Sequence, residues 1–202
     1  MLDSLSVNHY DSALAVITFL DAGSYRLRPD DSAHLAPYNL PIKTLLLDGG
    51  SKHDFASVNE REYGSFFAGN IDVAKSESTF TYLGVDSAYA DSTGGLIVVK
   101  IAVDTVLPGT DMRLVGVLTE DSVRSAKIGN SSIYYDRVAR RFLPNYLGMD
   151  LPLIARGDTL FDTLRFVNNG WNRDHLGAAL FVTDEGSHTI LQAKEMFRFP
   201  TP

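Results

Sequence analysis

The chain has 202 residues, a net charge of −7, 45% hydrophobic and 21% charged residues, and no cysteine. That is enough apolar material for a packed core without metals or disulfides, and the missing thiols exclude disulfide bonds, thiolate metal sites and thiol catalysis from these residues. The acidic balance, with Lys and Arg nowhere gathered into a stripe with aromatics, excludes a nucleic-acid footprint, and no window approaches the roughly 18 apolar residues of a membrane span.

In chain order, Leu2, Leu5 and Val7 read as the tail of a short helix that Asp11-Ser12 breaks. The first twenty residues lack a basic start followed by an apolar run, so no secretory signal is expected in them. Ala13 to Leu20 is apolar and β-branched at its centre, the pattern of a strand covered on both faces. Asp21 to Pro37 is polar and broken, with a turn or cap at Asp30, Asp31 or Ser32. A second strand over Ile42 to Asp48 ends at Gly49-Gly50, and Ser57 to Lys75 carries Val58, Tyr63, Phe66, Phe67 and Ile71 at helical spacing. Together these predict a small α/β unit that closes near Ser76-Glu77-Ser78.

The apolar period then changes from about 3.6 to 2. Phe80 and Tyr82 alternate with polar residues, and Ile97, Val99, Ile101 and Val103 alternate with Val98, Lys100, Ala102 and Asp104. Asp111 to Lys127 reads as a central strand whose apolar body, Leu114, Val115, Val117 and Leu118, ends at Glu120-Asp121. Further strands are predicted over Ile133 to Phe142, Thr159 to Val167, Ala178 to Thr183 and Thr189 to Ala193, a spacing that fits an antiparallel β-sandwich.

Val115 to Val123 (VGVLTEDSV), Tyr134 to Pro144 (YYDRVARRFLP), Gly157 to Leu160 (GDTL) and Trp171 to Met196 come in an order and spacing that resembles the Omp28-related family of bacterial outer-membrane and surface proteins. Tyr38 to Gly50 (YNLPIKTLLLDGG) is similar to the thioredoxin segment with a cis-proline before a strand, although Lys43 stands at the proline position and Pro41 lies two residues earlier. The resemblance implies an α+β protein: an incomplete or degenerate thioredoxin-like domain over residues 1–77, lacking its CxxC segment, then an immunoglobulin-like β-sandwich over residues 79–202. Two short strands and a helix do not cover themselves, so the first part is expected to dock on the sandwich or on a neighbouring subunit.

Candidate sites are sparse. His9, His34, His53, His175 and His188 make no pair at i,i+4, Asp30-Asp31 and Glu120-Asp121 sit at turns without the spacing of a calcium loop, and Gly49-Gly50-Ser51-Lys52 lacks the earlier glycine of a phosphate loop. Ser131-Ser132 lies in a polar turn and no GxSxG is present. No catalytic residue, metal or cofactor is expected. Trp171, the one tryptophan, is read as core at a strand start, with an exposed ligand platform as the alternative. Arg137, Arg140 and Arg141 form a local basic cluster; alternation places Arg137 and Arg141 on one outer strand face, with docking of an acidic partner as the sharper reading.

These residues and the resemblance together imply a non-catalytic binding or self-assembly module of an exported cell-surface or envelope protein. It would pair with a protein partner, or with itself as a homo-oligomer, through sandwich edges. Two rivals stand beside this reading. One is a fragment of a thiol-disulfide oxidoreductase whose Cys-bearing start is missing. The other is a glycan-binding module with an exposed aromatic cluster that includes Trp171.

Overall fold

A computed structural model describes residues 44–47, 51–54, 63–75, 81–105, 111–128, 131–187 and 189–200. The readings made over residues 1–43, among them the strand from Ala13 to Leu20, the acid pair Asp30-Asp31 and the Lys43 position, lie outside the described residues, as does His188.

β1 (Thr44–Leu47) and β2 (Ser51–Asp54) form an antiparallel pair with Thr44 opposite Asp54. The helix α1 (Tyr63–Lys75) lies within the predicted 57–75, of which residues 57–62 lie outside the described ones, and carries the buried Ile71. A two-stranded pair and one helix are common to many folds, so the thioredoxin-like part of the expectation stays with the sequence.

From residue 81 the architecture is a sandwich of two antiparallel sheets. The smaller has the order β10-β4-β3, from β3 (Thr81–Ala90), β4 (Gly94–Val103) and β10 (Thr159–Val167). The larger has the order β12-β11-β5-β8, from β5 (Met112–Glu120), β8 (Val138–Leu143), β11 (Leu176–Asp184) and β12 (Thr189–Met196). β9 (Met149–Asp150) pairs with the start of β5, beyond the end of β8. β6 (Val123–Ile128) and β7 (Ser131–Tyr135) form a separate hairpin between β5 and β8.

Period-2 alternation dictates this arrangement. Ile97, Val99, Ile101 and Val103 of β4 all point inward and are buried, with Leu83, Leu164 and Phe166 beside them. They meet Met112, Leu114, Leu118, Leu143, Leu176, Ala178, Leu180 and Val182 of the larger sheet. Burying each larger aliphatic side chain here is worth about 1.5–3 kcal/mol against leaving it in water. Gly116 permits a close approach of the two sheets, because a Cβ there would stand 2.8 Å from Cδ1 of Leu164 on the opposite sheet.

The larger sheet is apolar on its other face as well. Val115, Val117, Ala139, Phe142, Ala179 and Phe181 form a second cluster, each of them buried, with Ile190 and Ala193 packed against it. The unbroken apolar runs in β5 and β11 are the sequence form of a strand closed to water on both sides. β4, with Lys100 among its outward residues, reads instead as a strand with one side toward solvent.

Within Asp111 to Lys127 the strand closes at Glu120-Asp121 as expected, β5 ending at Glu120 and β6 starting at Val123, whereas Ile133 to Phe142, expected as one strand, is β7 and β8. Each break falls at an aspartate followed by a residue with positive φ: Ser122 at 56° and Arg137 at 53°.

Candidate functional site

The four residues singled out by the sequence occupy one end of the sandwich but do not share a surface. Arg137 lies in the turn ahead of β8, where its left-handed backbone takes it out of the strand alternation. Its Nε donates to Oε1 of Glu195 at 2.6 Å; the two side chains are 7% and 4% exposed, and the guanidinium stands 4.9 Å from the ring centre of Phe197.

Arg140 is the extra residue of a β-bulge, since Leu118 faces Arg141 while Thr119 faces Ala139. Its Nε donates to Oε2 of Glu120 at 2.7 Å, and Oε1 of Glu120 accepts the backbone N–H of Asn172 at 2.9 Å. Arg141 shares the parity of Leu143 and faces inward on the edge of the larger sheet. Its Nε is buried with no hydrogen-bond partner among the described residues. The turn and the bulge therefore replace the single outer face expected from alternation with two buried ion pairs and an inward edge arginine.

Trp171 is half-buried and packed against the main core. Asn168 holds its loop: Oδ1 accepts the N–H groups of Gly170 and Trp171, and Nδ2 donates to the carbonyls of Trp171 and Asp91. Arg173 then ties this end together, donating from Nε to the Ala90 carbonyl at 2.9 Å and from Nη2 to the Pro200 carbonyl at 3.2 Å. At the neighbouring hairpin, the Asp91 carboxylate accepts from Thr93 Oγ1, Tyr89 Oη and the amides of Thr93 and Gly94, which holds it well below the usual carboxylate range. The same bond raises the Tyr89 phenol. Burial, the largest cause, raises Asp121, with the nearby Asp136 adding to it. The polar groups of this end thus serve mostly one another. Among the described residues no cluster of three or more His, Asp or Glu side chains is arranged to hold a metal.

What faces solvent is a different surface, the outer side of the β10-β4-β3 sheet. Across its three strands the rows run Tyr82, Ala102, Thr159; then Gly84, Lys100, Phe161; then Ser87, Val98, Thr163; then Tyr89, Leu96, Arg165. Tyr82, Phe161 and Tyr89 are 57%, 52% and 43% exposed, and Val167 continues the face beyond them. The Tyr82 ring lies down over Gly84, where a Cβ would stand 2.6 Å from its hydroxyl and 2.9 Å from its ring. The Lys100 ammonium lies 5.9 Å from the ring centre of Phe161. The sequence held the signal for this face in the outward positions of β4. Leu96, Val98 and Ala102 stand where a purely solvated sheet face reads polar.

The edges of both sheets carry features that interrupt a ladder. β3 has an extra residue at Asp86, β8 at Arg140 and β12 at Leu191. On β10, Asp162 shares the inward parity of Leu164 and Phe166, and its carboxylate accepts the N–H of Thr163 at 2.7 Å. Bulges and inward charges are the devices by which edges resist pairing with another chain.

No helix of the described residues is long and apolar enough to cross a membrane. No protein-family model and no curated protein matches the chain. Solved structures similar to it include HBP35 of Porphyromonas gingivalis, with a TM-score of 0.56 at 14% identity over 66% of this chain and 46% of that one. They also include a domain of the outer membrane lipoprotein Omp28 from Porphyromonas gingivalis, with a TM-score of 0.45 at 12% identity over 62% of this chain and 93% of that one. The chain spans about half the length of HBP35, and at this identity the likeness is one of fold.

Proposed function

We propose that this chain is a non-catalytic binding module of an exported surface protein related to the Omp28 group, built on an immunoglobulin-like sandwich. The fold likeness to HBP35 of Porphyromonas gingivalis supports the architecture. The observation that carries the binding role is the exposed outer face of the β10-β4-β3 sheet, with Tyr82, Tyr89, Phe161 and Val167 open to solvent. Large aromatic side chains left exposed together on one sheet face of a folded domain mark an interaction site. The bulges of β3, β8 and β12 and the carboxylate of Asp162 favour engagement through this face over strand pairing at an edge.

The reading is tested by cosedimentation of the purified chain with bacterial cell envelopes over a concentration series. Saturable binding that Y82S/F161S abolishes without lowering the unfolding midpoint is the expected result. Absence of saturable binding, or binding unchanged in the double variant, overturns the reading.

A further inference from the structure

Resting on the reading as a binding module, we propose that the outer face of the β10-β4-β3 sheet is a platform for an acidic polysaccharide. Its sugar rings would stack on Tyr82 and Phe161 while its carboxylates meet Lys100 and Arg165. The face is the surface of three neighbouring strands, and such a surface suits a long, flat ligand that lies along it.

Two aromatic rings stand on one row of that surface. Gly84, Lys100 and Phe161 are in register on adjacent strands, so the place where the Tyr82 ring lies is two strand spacings, about 10 Å, from Phe161. Because Tyr82 lies over Gly84, its ring is laid along the sheet with one face toward solvent. The apolar C–H face of a pyranose stacks on such a ring, and a span of two strand spacings brings alternate sugars of one chain over Tyr82 and Phe161. The ammonium of Lys100 stands in the row between them, close to the Phe161 ring.

The charge on the face selects the sign of the ligand. The side chains within the four rows that are charged at neutral pH are Lys100 and Arg165, both cationic, in a chain of net charge −7. Carboxylates sit at the margins: Asp86 in the β3 bulge, Asp91 bonded to the Tyr89 hydroxyl, and Asp104, two positions past Ala102 at the end of β4. The hydroxyls of Ser87, Thr159 and Thr163 supply hydrogen-bonding groups between the rings. A protein partner calls for a water-excluding apolar centre with a polar rim. Here cations and hydroxyls alternate with the rings through the middle of the face, a pattern suited to a hydroxyl-rich anionic chain.

The test is affinity electrophoresis of the full chain through gels holding polygalacturonate, alginate or neutral dextran, at low salt and then at 0.5 M sodium chloride. Retardation by the two uronate polymers, little by dextran, and weakening at high salt are expected. Y82A and F161A should each weaken retardation about tenfold. K100Q and R165Q should reduce it and flatten its salt dependence, and Y134S on the β6–β7 hairpin should leave it unchanged. Equal retardation by dextran, no retardation by any polymer, or retardation indifferent to Y82A and F161A overturns the proposal. If envelope binding still depends on Tyr82 and Phe161 in that case, the face binds a protein or another surface component and the module reading stands. If envelope binding is absent too, both fall.

Discussion

Asp121 and Asp136 hold each other's turns. Oδ1 of Asp121 accepts the backbone N–H of Arg137, the residue after Asp136, and Oδ1 of Asp136 accepts the N–H of Ser122, the residue after Asp121, both at 2.8 Å. Ser122 and Arg137 are the two non-glycine residues with positive φ among those described. Left-handed backbone costs such residues roughly 1–2 kcal/mol each, and the reciprocal bonds offset that cost where the chain leaves β5 and returns into β8.

The clasp carries a pH dependence. Burial, chiefly, raises the Asp121 carboxyl above the ordinary value of 3.8, so across that interval the folded chain keeps a proton that the unfolded chain has shed. Stability contributed by this group therefore falls as pH rises from about 4 through the folded value. Asp121→Asn keeps an oxygen for the Arg137 amide and removes the titration, so its profile should be flatter on that side. Urea midpoints measured from pH 3.5 to 7.5 check this, and parallel profiles would sink it. Asp91 has the opposite sign. The bonds from Thr93 Oγ1, Tyr89 and the Thr93 and Gly94 amides lower its pKa, so its contribution is present above about 4 and is lost on acidification.

Arg137 and Glu195 form an ion pair with both side chains almost wholly buried. Arg137→Ala leaves the carboxylate without its guanidinium and should cost about 3–5 kcal/mol in chemical unfolding. The double replacement R137M/E195L removes both charges and should recover most of that loss. A double variant no better than the single would mean that Glu195 is held adequately by its other neighbours.

Asn168 tests whether the Trp171 loop depends on donors or on acceptors. Asn168→Asp keeps the oxygen that accepts from Gly170 and Trp171, and replaces the amide that donates to the carbonyls of Asp91 and Trp171 with a second oxygen. The expected loss at neutral pH is about 1–3 kcal/mol, with Trp171 fluorescence shifted to the red and more readily quenched by acrylamide. A spectrum identical to that of the parent chain would show that core packing alone fixes the indole.

Asp162 is the guard of β10, the edge strand that has no bulge in its pairing with β4. Asp162→Val frees the Thr163 amide and lengthens the apolar strand. Light scattering behind size exclusion should then give a mass that rises with concentration more steeply than for the parent chain. Unchanged mass up to high concentration would mean that the carboxylate is dispensable as an edge device.

Much of the sandwich was legible because alternation is local. The period-2 run from Ile97 to Val103 marks β4 and its inward face, and Thr159 to Val167 has the same bounds in the sequence reading and in the structure. The charged pair Glu120-Asp121 announced the end of β5, but the break at Arg137 was not legible: neither glycine nor proline marks it, and the carboxylate that stabilises it comes from Asp121, 16 positions away. For the same reason the arginine cluster misled. Arg137, Arg140 and Arg141 are neighbours in sequence, yet a turn and a bulge send the first two to Glu195 and Glu120 on different strands. The outer face of the smaller sheet was half legible. Its apolar positions in β4 were visible, but Tyr82 and Phe161 come to one face only because β3 and β10 both pair with β4.

The glycine beneath Tyr82 decides when that ring loses its freedom. A surface tyrosine ordinarily samples several rotamers, and a ligand that stacks on it must still them at the moment of contact. Here the ring is laid against the Gly84 backbone as the strand forms. The ordering has therefore been charged to folding, and an arriving ligand meets a surface already set.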